Sequence, residues 1–243
     1  MAQIRAELLK VRSTRTTLGL ALGMIALILL FALLTGLVSK TNGLASPEDQ
    51  RQLLSLGSVA GIFSALAGVL LVTSEFRFGT IRPTFLFTSQ RPRVLAAKLV
   101  ASLLAGIAFG VIGEGIGFAI GYVILVARGI SFTLSGGDVT LLILGTLAAT
   151  ALWAALGVGF GAIVRNQVGA VIGLLAWGFI IDNLLFGLVP SVGRFTPTRA
   201  QDALIGLKTD HLLSPAAGGL ALLAWVIVLA LIGIPLVTRR DVN

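Results

Sequence analysis

Six long apolar runs restrict this sequence to one kind of fold. They cover residues 18–38, 53–73, 99–126, 139–164, 168–189 and 218–237, and hold only two charged side chains, Glu114 and Asp182. A hydrocarbon layer about 30 Å thick is crossed by about 20 helical residues rising about 1.5 Å each. The layer offers no water to backbone N–H and C=O groups, so runs of this length must satisfy those groups internally, as helices. The expected fold is an all-α membrane protein with six transmembrane helices. Charged residues make up 12% of the chain, half the roughly 25% usual in a soluble domain. The first run exceeds the apolar core of a signal peptide, about 7–15 residues, and reads as a retained span.

An even number of spans places both ends on one side. That side carries twelve cations, including Arg5, Lys10, Arg77, Lys98, Arg165 and Arg239, against the acids Glu7, Glu75 and Asp241. The other side carries six cations (Lys40, Arg51, Arg128, Arg194, Arg199, Lys208) against five acids. Lys and Arg accumulate in cytoplasmic loops, so the N and C termini are expected in the cytoplasm. The same distribution accounts for the net charge of +8 without a nucleic acid partner; membrane lipid is the expected surrounding.

Residues 1–17 form a basic arm. Ile4, Leu8 and Val11 share one helical face, and Arg5, Arg12 and Arg15 lie largely off it, a pattern for an interfacial helix. Residues 39–52 and 127–138 read as outer loops, the second turning at Gly136-Gly137, and residues 165–167 as a tight inner hairpin. The outer segment 190–215 is punctuated by Pro190, Pro197 and Pro215. Ala200, Ala203, Leu204 and Leu207 recur at helical spacing within it, and Pro197 suits a first helical turn, so a short helix near the outer interface, or a partly re-entrant segment, is expected there. The third run is about 42 Å long as a helix, and its Gly113-Glu114-Gly115-Ile116-Gly117 centre suggests a bend. Glycines four apart, at Gly57/Gly61, Gly113/Gly117/Gly121, Gly157/Gly161 and Gly169/Gly173, allow close helix packing in lipid.

Catalytic and metal-binding patterns are missing from the sequence. There is no cysteine, and the one histidine, His211, reads as a solvated loop residue. The phosphate-cradling G-x-x-x-x-G-K-(S/T) loop is absent, as are convergent carboxylates. No catalytic residue, bound metal or cofactor is expected in this chain, and an enzymatic role is not. Glu114 and Asp182 are a different matter. Charges inside a membrane span cost at least about 2.5–3.5 kcal/mol and commonly mark a transport route. With Asn183, they are the candidates for one.

Residues 74–98 carry six charges, five of them positive, and the aromatics Phe76, Phe78, Phe85 and Phe87. Topology alone needs the cations but not the phenylalanines. Aromatic anchors ringed by charge suit a protein interface. Pro83 can open a short helix ahead of Pro92.

The run Ser74-Glu75-Phe76-Arg77-Phe78-Gly79-Thr80-Ile81-Arg82, followed by Arg91-Pro92-Arg93 and Lys98, resembles the E-x-R-x-G-T-(I/L)-R … R … K pattern of type-2 ABC (ATP-binding cassette) exporter permeases. Leu213-Ser214-Pro215 and Thr238-Arg239-Arg240-Asp241-Val242 resemble the same family's tail, so the likeness covers essentially the whole chain. The resemblance implies a single permease domain over residues 1–243, in a bacterial plasma membrane. The arm would be a connecting helix, residues 74–98 would hold a coupling helix, and 190–215 would form short outer helices. The partners it implies are an ABC ATPase subunit, which would bind ATP and Mg, and a second permease copy or a homologue. Glu75, Arg77, Gly79, Thr80 and Arg82 match the motif. Phe85, Leu86 and Phe87 are the candidate anchors. The expected function is export of a hydrophobic or amphipathic compound. The alternative is a stand-alone membrane protein: a proton-coupled carrier, an integral membrane enzyme, or an immunity or sensor protein.

Overall fold

The computed structural model describes residues 2–38, 44–79 and 91–239. The described residues are helical apart from turns and short connections, with no strand among them. Helix α1 (Ala2–Ser13) precedes α2 (Arg15–Val38), the first span. The second span joins α3 (Pro47–Leu54), a 3-10 turn (Ser55–Val59) and α4 (Ala60–Arg77). The third is α5 (Arg91–Ala127) and the fourth α6 (Gly136–Val164). The fifth runs through α7 (Gln167–Ala176), a π-helical stretch (Trp177–Ile181) and α8 (Asp182–Leu188). Two short helices, α9 (Pro190–Gly193) and α10 (Pro197–Leu204), precede the sixth span, α11 (Pro215–Arg239). Six helices are therefore long and apolar enough to cross a membrane.

Two boundaries differ from the sequence expectation. Residues 47–52, expected in a loop, are already helical. The Ser46 hydroxyl accepts the Asp49 N–H, Pro47 fills the first turn, and Glu48 and Asp49 face the helix dipole. Gly136-Gly137 is not a turn but the start of α6, because Ser135 and Asp138 close a reciprocal capping box. The backbone reverses earlier, at Gly129 (φ 66°). The hairpin at 165–167 is present: Arg165 takes a left-handed conformation (φ 57°) and the Asn166 side chain caps the Gly169 N–H. Pro197 opens α10 as expected. Helix α5 runs unbroken through its glycine-rich centre.

Spans 2 and 4 form the centre. In their most apolar stretches 67% of residues are buried, against 17% in spans 1, 5 and 6. A Cβ added at Gly68 would stand 2.1 Å from the Ala154 carbonyl oxygen, and one at Gly157 2.0 Å from that of Ala65, so the two backbones touch. Span 3 meets span 2 in the same way where Gly117 and Gly113 face Gly57. Small-residue crossings of this kind supply dispersion contacts where lipid removes the hydrophobic drive between helices.

Polar contacts tie the two ends of the bundle separately. At one end Gln50, fully buried, donates to the Ser131 carbonyl (2.9 Å) and accepts from Thr133 N–H (2.9 Å). Arg51 pairs with Asp138 and donates to the Gly206 carbonyl (2.7 Å). At the other end Arg165 donates to the Leu236 carbonyl and lies over the Phe76 ring, and Arg77 donates to Gln167 (3.2 Å). Alternate connections thus gather at opposite ends, as six successive spans require.

Candidate functional site

The most elaborate polar site lies at the end of the bundle that holds α1. Glu75 sits in the last turn of α4 and Lys98 two turns into α5, so the segment between them starts and returns at one place. The Lys98 ammonium donates to Glu75 Oε1 (2.7 Å), Glu7 Oε2 (2.9 Å) and the Leu71 carbonyl (3.2 Å), which uses all three of its protons. Lys10 donates to Glu7 Oε1 (3.0 Å) and Glu75 Oε1 (2.7 Å). Two acids and two lysines alternate, with no net charge. The side chains of Lys98, Glu7 and Glu75 are 3%, 6% and 7% exposed, and Lys10, at 47%, closes the water side. Burial of the Lys10 ammonium opposes its charge, but the bonds and charges of Glu75 and Glu7 outweigh that and raise its pKa.

The arrangement is a clamp. A buried ion pair adds little net stability against apolar replacements, because desolvation offsets attraction, yet breaking one partner is costly. Its effect here is to set position: α1 is pinned to the roots of the 76–97 segment, with Val11, Leu71, Val72, Phe76 and Leu99 packed together in the same region. Sequence reading places Glu75 and Lys98 within one motif but misses Glu7. The available signal is slight: Glu7 is the one acid of the basic arm, three residues ahead of Lys10.

Beyond Glu75, Arg77 and Phe78 are exposed, the guanidinium 5.4 Å from the ring centroid, and Gly79 turns the chain at φ 66°. The described contacts of Arg77 are with Gln167 and Phe78, not with a carboxylate. Thr80, Arg82, Phe85, Leu86 and Phe87 lie outside the described residues. Beside the clamp a cavity of about 590 Å³ opens between Lys10, Thr14, Leu20, Leu71, Phe78 and Gln167, with predominantly apolar walls.

The two intramembrane acids lie elsewhere. Glu114 is 2% exposed at the crossing of spans 2 and 3, its Cα beneath Gly57. Its carboxylate oxygens have no hydrogen-bond partner among the described residues; the buried Thr146 hydroxyl of span 4 interacts with them outside ordinary hydrogen-bond geometry. Asp182 is fully buried and accepts the Thr198 N–H (3.0 Å), capping α10 from span 5 where Thr196 supplies no side-chain cap. Asn183 accepts from Arg199 (2.6 Å), which also pairs with Asp202 (2.9 Å). Asp182 and Asn183 therefore join span 5 to the short helix α10, while Glu114 stands apart from both. His211 is exposed, at φ 69°. Among the described residues no three His, Cys, Asp or Glu side chains are grouped to hold a metal ion.

Burial pushes the Asp202 carboxyl up to about 6, against the opposing pull of Arg199. A folded-state pKa above the unfolded value means the folded chain binds the proton more tightly. Stability attached to this group is then greatest below about pH 4 and falls as pH rises towards 6. Thermal midpoints in detergent between pH 4 and 7 should show that fall in the parent chain and a flatter profile in Asp202→Asn.

No protein-family model matches this sequence, and no curated protein matches it either.

Proposed function

We propose that this chain is the transmembrane subunit of an ATP-driven exporter, moved by a separate ATPase that grips the segment between spans 2 and 3. The observation that carries this reading is the clamp of Glu7, Lys10, Glu75 and Lys98. It fixes both roots of that segment to each other and to α1, so a force applied to the segment is delivered to spans 2 and 3 together. The sequence holds no phosphate-binding loop of its own, and in this reading nucleotide chemistry belongs to the partner. The resemblance of residues 75–82 to the exporter-permease pattern points the same way. In this reading both termini and the clamp face the cytoplasm, consistent with the cation excess of that end. Spans 1, 5 and 6, with most of their residues unburied, leave faces on which a second permease copy completes the route.

The test is co-purification from native membrane followed by reconstitution. An ATPase subunit should accompany the chain, and its hydrolysis should be stimulated by it. Changing both Phe85 and Phe87 to Asp is expected to leave insertion intact and weaken ATPase association at least about tenfold, as removal of aromatic anchors does. Transport by the purified chain on a proton gradient alone would overturn the reading in favour of a stand-alone carrier.

A further inference from the structure

At the end of the bundle away from the clamp, a smaller cavity of about 200 Å³ lies between spans 1, 2, 4 and 5 and helix α10. Its apolar walls include Leu27, Phe31, Val59, Ile62 and Phe179. Phe31 and Phe179 are 38% and 59% exposed, so these rings border its approach from the side of the bundle. Polar side chains line it as well: Ser58, Trp153, Thr198, Gln201 and Asp202. Trp153 and Gln201 are 3% and 7% exposed, and neither Trp153 Nε1 nor Gln201 Oε1 has a hydrogen-bond partner among the described residues.

These two atoms converge. A Cβ added at Gly61 would stand 2.3 Å from Gln201 Oε1 and 3.3 Å from Trp153 Nε1, so both atoms lie beside the bare Gly61 backbone and close enough together for one group to bridge them. The Gln201 amide is oriented by its other end, where Nε2 donates to the Ser58 carbonyl at 3.4 Å, leaving Oε1 as the free acceptor. The indole N–H can only donate. Leaving buried polar atoms unmatched is costly, so a group that both donates and accepts is favoured between them. A hydroxyl or an unsubstituted amide does both, whereas an ammonium donates only. The nearby carboxylate of Asp202 is already held by Arg199 at 2.9 Å and does not call for a cation.

We propose that this pocket binds the head of a neutral, otherwise apolar molecule through a hydroxyl or primary amide held between Gln201 Oε1 and Trp153 Nε1, with its apolar body against Leu27, Phe31 and Phe179. That the occupant is the exporter's cargo rests on the function proposed above; the binding itself does not. The pocket is smaller than the roughly 300–1,000 Å³ of a site that engulfs a whole drug-sized ligand, so it takes one end of its ligand.

Trp153 serves as reporter. The chain is placed in lipid nanodiscs as the Trp177→Phe, Trp225→Phe variant, or, if that variant does not fold, as the parent with the signal of Trp153→Phe subtracted. It is titrated with 1-decanol, decanamide, methyl decanoate, decane and decylammonium, each expressed per lipid. Decanol and decanamide are expected to change Trp153 emission saturably and to bind about tenfold more tightly than decane or methyl decanoate. Gln201→Leu should remove that advantage. Gly61→Ala, whose methyl group would stand 2.3 Å from Gln201 Oε1 and force the amide aside, should remove it too. Equal affinity for decane and decanol, tighter binding of decylammonium than of decanol, or unchanged decanol affinity in both variants would overturn the proposal. The titration requires no ATPase. Binding without ATP-driven export would therefore count against the exporter reading and leave the pocket standing, and export without such binding would do the reverse.

Discussion

Replacing Lys98 with methionine should destabilise the chain by about 3–5 kcal/mol, the usual cost of stripping one partner from a buried ion pair. For a chain of this size that corresponds to an apparent melting point lower by about 6–20 °C in detergent. Lys98 meets Glu7, Glu75 and the Leu71 carbonyl at once, and its removal leaves two buried carboxylates with only the half-exposed Lys10 between them. Methionine keeps the length of the side chain, so the loss is one of charge more than of packing. A second change separates this from a general weakness of the site. Glu75→Gln made together with Lys98→Met leaves Glu7 and Lys10 as a neutral pair, and should recover at least half of the lost stability, because removing both partners costs less than removing one. A single variant within about 1 kcal/mol of the parent would mean that the clamp is open to water and behaves as a surface pair.

Gly157→Leu is expected to do more damage still. The new Cβ would lie 2.0 Å from the Ala65 carbonyl oxygen and 2.9 Å from its Cα, and a backbone atom cannot rotate out of the way as a flexible side chain can. Spans 2 and 4 would have to separate along the most buried seam in the bundle, at a cost above the roughly 1–3 kcal/mol of ordinary overpacking. The expected result in size-exclusion chromatography is aggregated protein in place of a single sharp peak. Gly19→Leu in span 1 is the control, since nothing lies within 4 Å of a Cβ there, and it should elute as the parent does. A monodisperse Gly157→Leu protein would show that the two backbones do not meet.

The spans were legible in the sequence because membrane physics is local: an uncharged run of about 20 residues has one stable arrangement in lipid. Glycine spacing also told where helices approach, at Gly57, Gly117 and Gly157, although Gly169 meets only Val164 and Asn166 near its own turn. The helix starts at Pro47 and Gly136 depart from the loop reading of residues 39–52 and 127–138, because the Ser46 and Ser135 side chains accept the N–H groups three positions on. Glu7 was not legible. Its partner stands 91 residues away, and no periodicity or spacing joins the two. Asp182 and Asn183 stand out in the sequence as polar residues in an apolar run, but their contacts with Thr198 and Arg199 depend on how span 5 leaves the bundle, through a π-helical stretch that no local signal announces.

The separation between Glu7 and Lys98 bears on how the chain is made. At about 5–20 residues per second, a ribosome needs about 5–18 s after polymerising the first of them to reach the second. Through that interval the arm carries an acid whose buried counter-ion has not been synthesised. Its seat is incomplete until Lys98, at the head of the third apolar stretch, has been made, so the first helix can dock fully only after two spans have been synthesised.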